Sequence, residues 1–158
     1  MAVSTGSEIS VRVLGLGNEI LADDAFGIVV AREVERRCGD RAEVVASSEA
    51  GFHLLDRLVG VDRLVVVDTI LSGTARPGTL RVWTAAIPRS VPLLSPHVTG
   101  IFEVLALARK LNMRTPREVT ILGVEAADCF TVGGPMHPDV RAAIPEAVNQ
   151  CVTLVHSG

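Results

Sequence analysis

The sequence predicts an α/β fold, a three-layer sandwich in which a mostly parallel, twisted sheet of about five strands carries helices on both faces. Three observations predict it. Short apolar runs alternate with amphipathic stretches in the order strand, helix, strand, helix, strand, strand, helix, strand, helix. The run Arg63-Leu-Val-Val-Val-Asp68 is apolar and mostly β-branched between its charged ends, as expected of a strand covered on both faces. No repeat or linker divides the chain, so residues 11–158 read as one domain after a loose segment over residues 1–10.

Val11-Arg-Val-Leu-Gly15 is the first strand. Ala25 to Cys38 is a helix with Phe26, Val29, Val30 and Val34 inward, stopped by Gly39. Glu43-Val-Val-Ala46 is the second strand, and Phe52 to Val59 the second helix, with Leu54, Leu55 and Leu58 inward. After the strand ending at Asp68, Pro77-Gly78 makes a turn and Thr79-Leu-Arg-Val-Trp83 alternates like a strand with one wetter face. That strand is expected to be antiparallel to the others. A loop follows over Ile87–Leu94, then a helix capped by Ser95 with Pro96 in its first turn and Ile101, Val104, Leu105, Ala108 and Leu111 on one face. Glu118-Val-Thr-Ile-Leu-Gly123 is a further strand. Val140, Ile144, Val148, Cys151 and Val155 form a closing helical stripe, and Pro145 should kink or break it, since an interior proline costs ~3 kcal/mol.

Composition excludes several functions. The net charge is -3, whereas nucleic acid and anionic membranes reward a basic face. Four Phe, one Trp and no Tyr are too few aromatics for a base-stacking platform. No apolar run approaches the roughly 20 residues of a membrane span, and the first ten residues lack the basic and apolar segments of a signal peptide. Cys38, Cys129 and Cys151 are odd in number and show no CxxC spacing, which suits free thiols in a reducing compartment. A cytoplasmic location is expected.

Ligands in such sheets collect beyond the carboxyl ends of the strands, and three polar groups stand at strand or loop ends there. Gly15-Leu-Gly17-Asn18 follows a strand, but Ile20 holds the place of the third glycine of a dinucleotide fingerprint and the helix begins only after Asp24. No nucleotide cofactor is expected. Asp23-Asp24 opens the first helix, where one acid is accounted for as a cap; two in tandem repel unless a cation or donors relieve them. Asp68 either caps the turn Thr69–Gly73 or points into the crevice above the sheet. His97, in the first turn of its helix, is held toward the neutral form by the helix dipole and is either a packed side chain or a ligand. Together the two carboxylates and the imidazole are a nitrogen and oxygen donor set suited to a divalent first-row metal with open positions. Glu125, Asp128, Cys129 and His137 form a second group without clean ligand spacing, and Met136-His137-Pro138 reads as the cap of the closing helix. Glu49 and His53 are one helical turn apart and are placed at the same mouth.

These residues resemble a known pattern. Gly15-Leu-Gly17-Asn18-Glu-Ile-Leu-Ala-Asp23-Asp24-Ala-Phe-Gly27, Leu64-Val-Val-Val-Asp68 with Pro77-Gly78-Thr79, Ser95-Pro96-His97 with Glu103-Val-Leu105, and Ile121-Leu-Gly-Val124 occur in order and spacing similar to the hydrogenase maturation endopeptidases. The resemblance runs from Val11 to about Val155. It implies a twisted sheet between helix layers, and an endopeptidase that removes the carboxyl-terminal extension of a nickel–iron hydrogenase large-subunit precursor after nickel insertion. It implies Asp24, Asp68 and His97 as metal ligands and catalytic residues, with nickel presented by the precursor. Asn18, Asp23 and Glu49 are then expected near the substrate, Asn18 orienting its backbone and Asp23 holding the turn or tuning a ligand. The segment Ala46-Ser-Ser-Glu-Ala-Gly51 departs from the Asp-Gly-Gly-Thr-like segment usual in the family, and Gly133-Gly-Pro-Met-His137-Pro from its Gly-Leu-Ser-Pro. The alternative function is a non-catalytic module that senses or chaperones nickel on the same precursor.

Overall fold

The computed structural model describes residues 9–85 and 96–157, with backbone alone for residues 96–99. The loop expected over Ile87–Leu94, the cap assigned to Ser95 and most of the loose start lie outside the described residues. Five strands form one sheet: β1 (Val11–Leu16), β2 (Glu43–Ser47), β3 (Arg63–Ile70), β4 (Leu80–Ala85) and β5 (Glu118–Glu125). Their order is β2-β1-β3-β5-β4, with β4 alone antiparallel. The helices are α1 (Phe26–Cys38), α2 (Leu55–Leu58), α3 (Pro96–Lys110), α4 (Pro138–Ala142) and α5 (Ile144–His156).

The two-residue period of the strands sorts their side chains between two cores. Val11, Val13, Val65, Val67, Leu122 and Val124 meet Phe26, Val30 and Val34 of α1 and Val148, Cys151 and Val155 of α5. Leu14, Leu16, Leu64, Val66, Val119 and Ile121 meet Leu58 of α2 and Ile101, Phe102, Val104 and Leu105 of α3. This double coverage is why β3 and β5 are apolar along nearly their whole length. Between β1 and α1 the contact is backbone on backbone. A Cβ on Gly15 would overlap the Gly27 carbonyl, and one on Gly27 would overlap the carbonyls of Leu16 and Val67.

Several local expectations change. The first helix begins at Phe26 and is preceded by a separate 3-10 turn over Ala22–Ala25 that holds Asp23 and Asp24. Neither acid caps α1, whose cap position is Ala25 with no side-chain bond. The second helix shrinks to a 3-10 turn over Gly51–Leu54 plus the single turn α2, because only Leu54 and Leu58 reach the core fully. Leu111 lies beyond α3 and is exposed. The helix stops there because Asn112 adopts a left-handed φ of 56°, while Met113 N–H closes onto the Ala108 carbonyl at 3.0 Å. Phe102 takes the core position instead. The closing helix breaks at Ala143, so Pro145 sits in the first turn of α5, where it needs no intrahelical partner. His137 caps α4, its Nδ1 accepting from Asp139 N–H.

Candidate active site

The sheet order reverses direction between β1 and β3: the chain leaves β1 for β2 on one side, then returns past β1 to β3 on the other. At such a reversal the connections leave to opposite faces and open a crevice beyond the carboxyl ends of the two strands. After β1 the chain turns tightly, since a Cβ on Gly17 would overlap the Asp24 carbonyl oxygen. That carbonyl accepts from Asn18 N–H at 3.1 Å, and Asp24 N–H returns to the Leu21 carbonyl at 2.8 Å. Ala22 takes a φ of 44°, an uncommon value for a residue with a side chain. The loop thus folds back so that Asp23 and Asp24 point to different partners.

Asp23 is fully buried. Its Oδ2 accepts from Ala127 N–H at 2.7 Å and Asp128 N–H at 2.8 Å, and its Oδ1 from His137 N–H at 2.6 Å. Its own N–H donates to the Asp128 carbonyl at 2.8 Å. Three backbone donors relieve the repulsion expected of the tandem acids without a cation. Asp23 therefore ties the loop after β1 to the segment after β5, and its carboxylate is out of a substrate's reach.

Asp24 faces the cleft between β1 and β3. Its Oδ1 accepts from the Thr69 hydroxyl at 3.0 Å. The Thr69 N–H donates to Asp68 Oδ1 at 2.8 Å, and Asp68 Oδ2 is buried with no hydrogen-bond partner among the described residues. Asp68 is 1% exposed, and burial pushes its carboxyl up to about 8; the Thr69 N–H opposes this and the Asp24 charge adds to it. β3 continues two residues past Asp68, which pairs with Gly123 inside the sheet. Asp68 does not cap the following turn. That task falls to Glu125, which accepts from Ser72 N–H and the Ser72 hydroxyl. Burial works to raise the Glu125 carboxyl, but the Ser72 and neighbouring backbone donors outweigh it and hold the group below its usual range.

The cleft holds about 350 Å³ and is lined by Gly17, Asn18, Leu21, Asp24, Ser48 and Glu49 on one side and Thr69, Leu71, Cys129 and Phe130 on the other. Asn18 Oδ1 accepts from Ile20 N–H at 3.2 Å, so this side chain also shapes the turn. Glu49 lies at the mouth, where Arg57 and Ser47 hydrogen-bond it and hold its carboxyl below the usual range. Glu49 and His53 do not share a helix: Glu49 precedes the turn Gly51–Leu54 that contains His53, and His53 does not line the cleft. Leu71 and Phe130 line the cleft yet remain exposed, as do Ile20 and Val132 beside it; Leu21 and Val132 pair as a short antiparallel bridge.

The second group of sequence candidates is occupied with local structure. Asp128 accepts from Phe130 N–H, Thr131 N–H and the Thr131 hydroxyl, which hold its carboxyl below the usual range. Only Cys129 reaches the cleft, its Sγ donating to Thr69 Oγ1 at 3.5 Å. Among the described residues no three of His, Cys, Asp and Glu gather around one point. The side chain of His97 lies outside the described residues; its backbone is the second residue of α3. Beyond that helix the Arg114 carbonyl accepts from Gly60 N–H, and the Asp62 carbonyl from Arg117 N–H, both near the start of β3. The helix therefore runs antiparallel to β3 and β5, and its first turn stands at the end of the sheet that carries Asp24 and Asp68. Thr69 was missed from sequence. The signal available was its place next to an acid at the carboxyl end of the most apolar strand.

The geometry has counterparts in known proteins. The sequence profile described as hydrogenase maturation protease matches residues 28–154. The hydrogenase expression/formation protein HupD of Bradyrhizobium diazoefficiens is 33% identical over 154 residues, spanning 94% of this chain and 79% of that protein. The hydrogenase 2 maturation protease of Escherichia coli K12 is 31% identical over 92% of this chain and 90% of its own length. Among solved structures, the hydrogenase maturating endopeptidase HybD from E. coli superposes with a TM-score of 0.78 at 27% identity, covering 93% of this chain and 92% of that one. With sequence match and sheet architecture in agreement along most of its length, the chain belongs to the hydrogenase maturation protease family, and it is an endopeptidase.

Proposed function

We propose that this endopeptidase makes one cut in a nickel–iron hydrogenase large-subunit precursor, removing its carboxyl-terminal extension after nickel has been inserted. The observation that carries the reading is the pair Asp24 and Asp68 at the sheet's reversal point, linked through Thr69, with one buried Asp68 oxygen left without a partner among the described residues. An unpartnered buried carboxylate oxygen next to a second carboxylate is costly by itself and is relieved by a cation, so the donor set fits the nickel that the precursor brings. His97, from the first turn of α3, is the third donor in this reading. Such an ion supplies Lewis acidity toward a carbonyl or a water molecule.

The chain's own groups bind and orient. Asp24, which lines the cleft, and Asp68, buried next to the lining residue Thr69, hold the metal-bearing part of the precursor, and Asn18 and Glu49 flank the chain that enters. Ile20, Leu71, Phe130 and Val132 offer exposed apolar surface to a polypeptide, as expected where a folded precursor must dock. Among the described residues no helix is long and apolar enough to cross a membrane, and all three cysteines are unpaired, which supports action in the cytoplasm. The test incubates nickel-loaded precursor with the protein and follows the mass of the large subunit. A shortened product with wild type and none with Asp24→Ala is the expected result. Tight retention of uncut precursor by both proteins would instead assign a nickel-sensing or chaperone role.

A further inference from the structure

We propose that Thr69 is the positioning residue of this site, engaging one oxygen of each carboxylate so that the others are left for the incoming ligand, with Cys129 fixing the direction of its hydroxyl. The inference rests on the reading of Asp24 and Asp68 as ligands. A single residue hydrogen-bonds both acids: its N–H donates to Asp68 Oδ1 at 2.8 Å and its hydroxyl to Asp24 Oδ1 at 3.0 Å. Thr69 can do so because adjacent strand residues face opposite sides of the sheet. Asp68 continues the row of Leu64 and Val66 toward α2 and α3, whereas Thr69 continues Val65 and Val67 toward α1, from whose entrance Asp24 comes.

A hydroxyl has one proton, and an ionised carboxylate only accepts. Thr69 must then donate to Asp24 and accept from its other neighbour. That neighbour is the Cys129 thiol at 3.5 Å, which burial, with the Asp24 charge adding to it, pushes up to about 11 against the opposing Thr69 bond, so it stays a donor at neutral pH. The chain Cys129 to Thr69 to Asp24 has one polarity. It fixes the orientation of the Asp24 carboxylate before any ligand arrives, while Asp68 keeps Oδ2 buried and, among the described residues, unpartnered.

The experiment compares the full-length wild type with Thr69→Val, Thr69→Ser, Cys129→Ala and Asp24→Ala. It reads Ni²⁺ affinity by calorimetry, kcat and KM on nickel-loaded precursor, and thermal midpoint. Thr69→Val is expected to weaken Ni²⁺ binding and lower kcat by roughly ten- to a hundredfold, the usual effect of removing a group that orients a ligand, with KM changed less than about twofold. Thr69→Ser restores both to within about threefold because it keeps the hydroxyl, and Cys129→Ala falls between. Wild-type Ni²⁺ affinity in Thr69→Val overturns the proposal, as does Thr69→Ser failing as completely as Thr69→Val. Should Thr69→Val not fold, the Ser variant decides alone: retained affinity supports the hydroxyl, and lost affinity overturns it. If Asp24→Ala binds Ni²⁺ as wild type does, the ligand reading itself fails, and the role of Thr69 with it.

Discussion

Asp23 and His137 are 114 residues apart in sequence, and the His137 N–H donates to Asp23 Oδ1 at 2.6 Å. The same carboxylate holds Ala127 and Asp128, so the wall of the cleft that carries Cys129 and Phe130 depends on an acid from the opposite wall. Asp23→Ala leaves three backbone donors without their acceptor. At about 1 kcal/mol or more for each, stability should fall by ~3 kcal/mol or more. The thermal midpoint should drop by roughly 6–12 °C in a domain of this size, as scanning calorimetry would read. A drop below about 2 °C would mean that water satisfies those donors.

Burial couples the ionisation of Asp68 to the folding of the chain. In the folded chain its carboxyl titrates at about 8, whereas in the unfolded chain an Asp titrates at about 3.9. Between these values the unfolded state releases a proton that the folded state keeps. The stability this group contributes is therefore fully present at low pH and is lost as pH rises toward the folded value. Asp68→Asn keeps an oxygen for the Thr69 N–H and cannot ionise. Its thermal midpoint should equal or exceed that of wild type at pH 7.5, with the difference shrinking toward pH 5, while cleavage is lost. A midpoint more than about 5 °C below wild type would make Asp68 a structural residue.

Gly27 allows α1 to lie against the carbonyls of Leu16 and Val67. Backbone atoms in two adjacent strands cannot yield as a side chain can. Gly27→Ala should cost about 1–3 kcal/mol or more by overpacking, and it should displace Asp24, which lies in the turn leading into the same helix. Urea unfolding would show the midpoint lowered with the slope unchanged.

Phe130 is 77% exposed at the edge of the cleft. Phe130→Ser should leave the thermal midpoint within about 2 °C of wild type. If the apolar edge meets the precursor, KM rises roughly tenfold with little change in kcat, equivalent to ~1.4 kcal/mol of lost contact. An unchanged KM would place the precursor elsewhere.

What could be read directly was whatever depends on near neighbours in sequence. The apolar run of β3 marked a strand buried on both sides, His137-Pro138 marked a helix start, and Pro145 marked a break, each through the backbone or side-chain chemistry of a few adjacent residues. Where a local pattern competes with packing, packing decides. The expected second helix had three inward leucines but only two deep core positions, and α3 ended before Leu111 because Asn112 turned the chain.

Consecutive residues were enough for the layered α/β class and the parallel core of the sheet, since periodicity and turn chemistry are local, and they placed Asp24 after β1 and Asp68 in the last half of β3. Which acid of the Asp23-Asp24 pair is held by backbone donors and which faces the cleft, and that Thr69 joins the latter to Asp68, follows from the packed chain alone. Two adjacent carboxylates are chemically alike, and what separates them is the partner each one meets: the backbone of residues 127–137 for Asp23, and a hydroxyl at the end of β3 for Asp24. Those partners come within reach only once β1, β3 and β5 lie side by side.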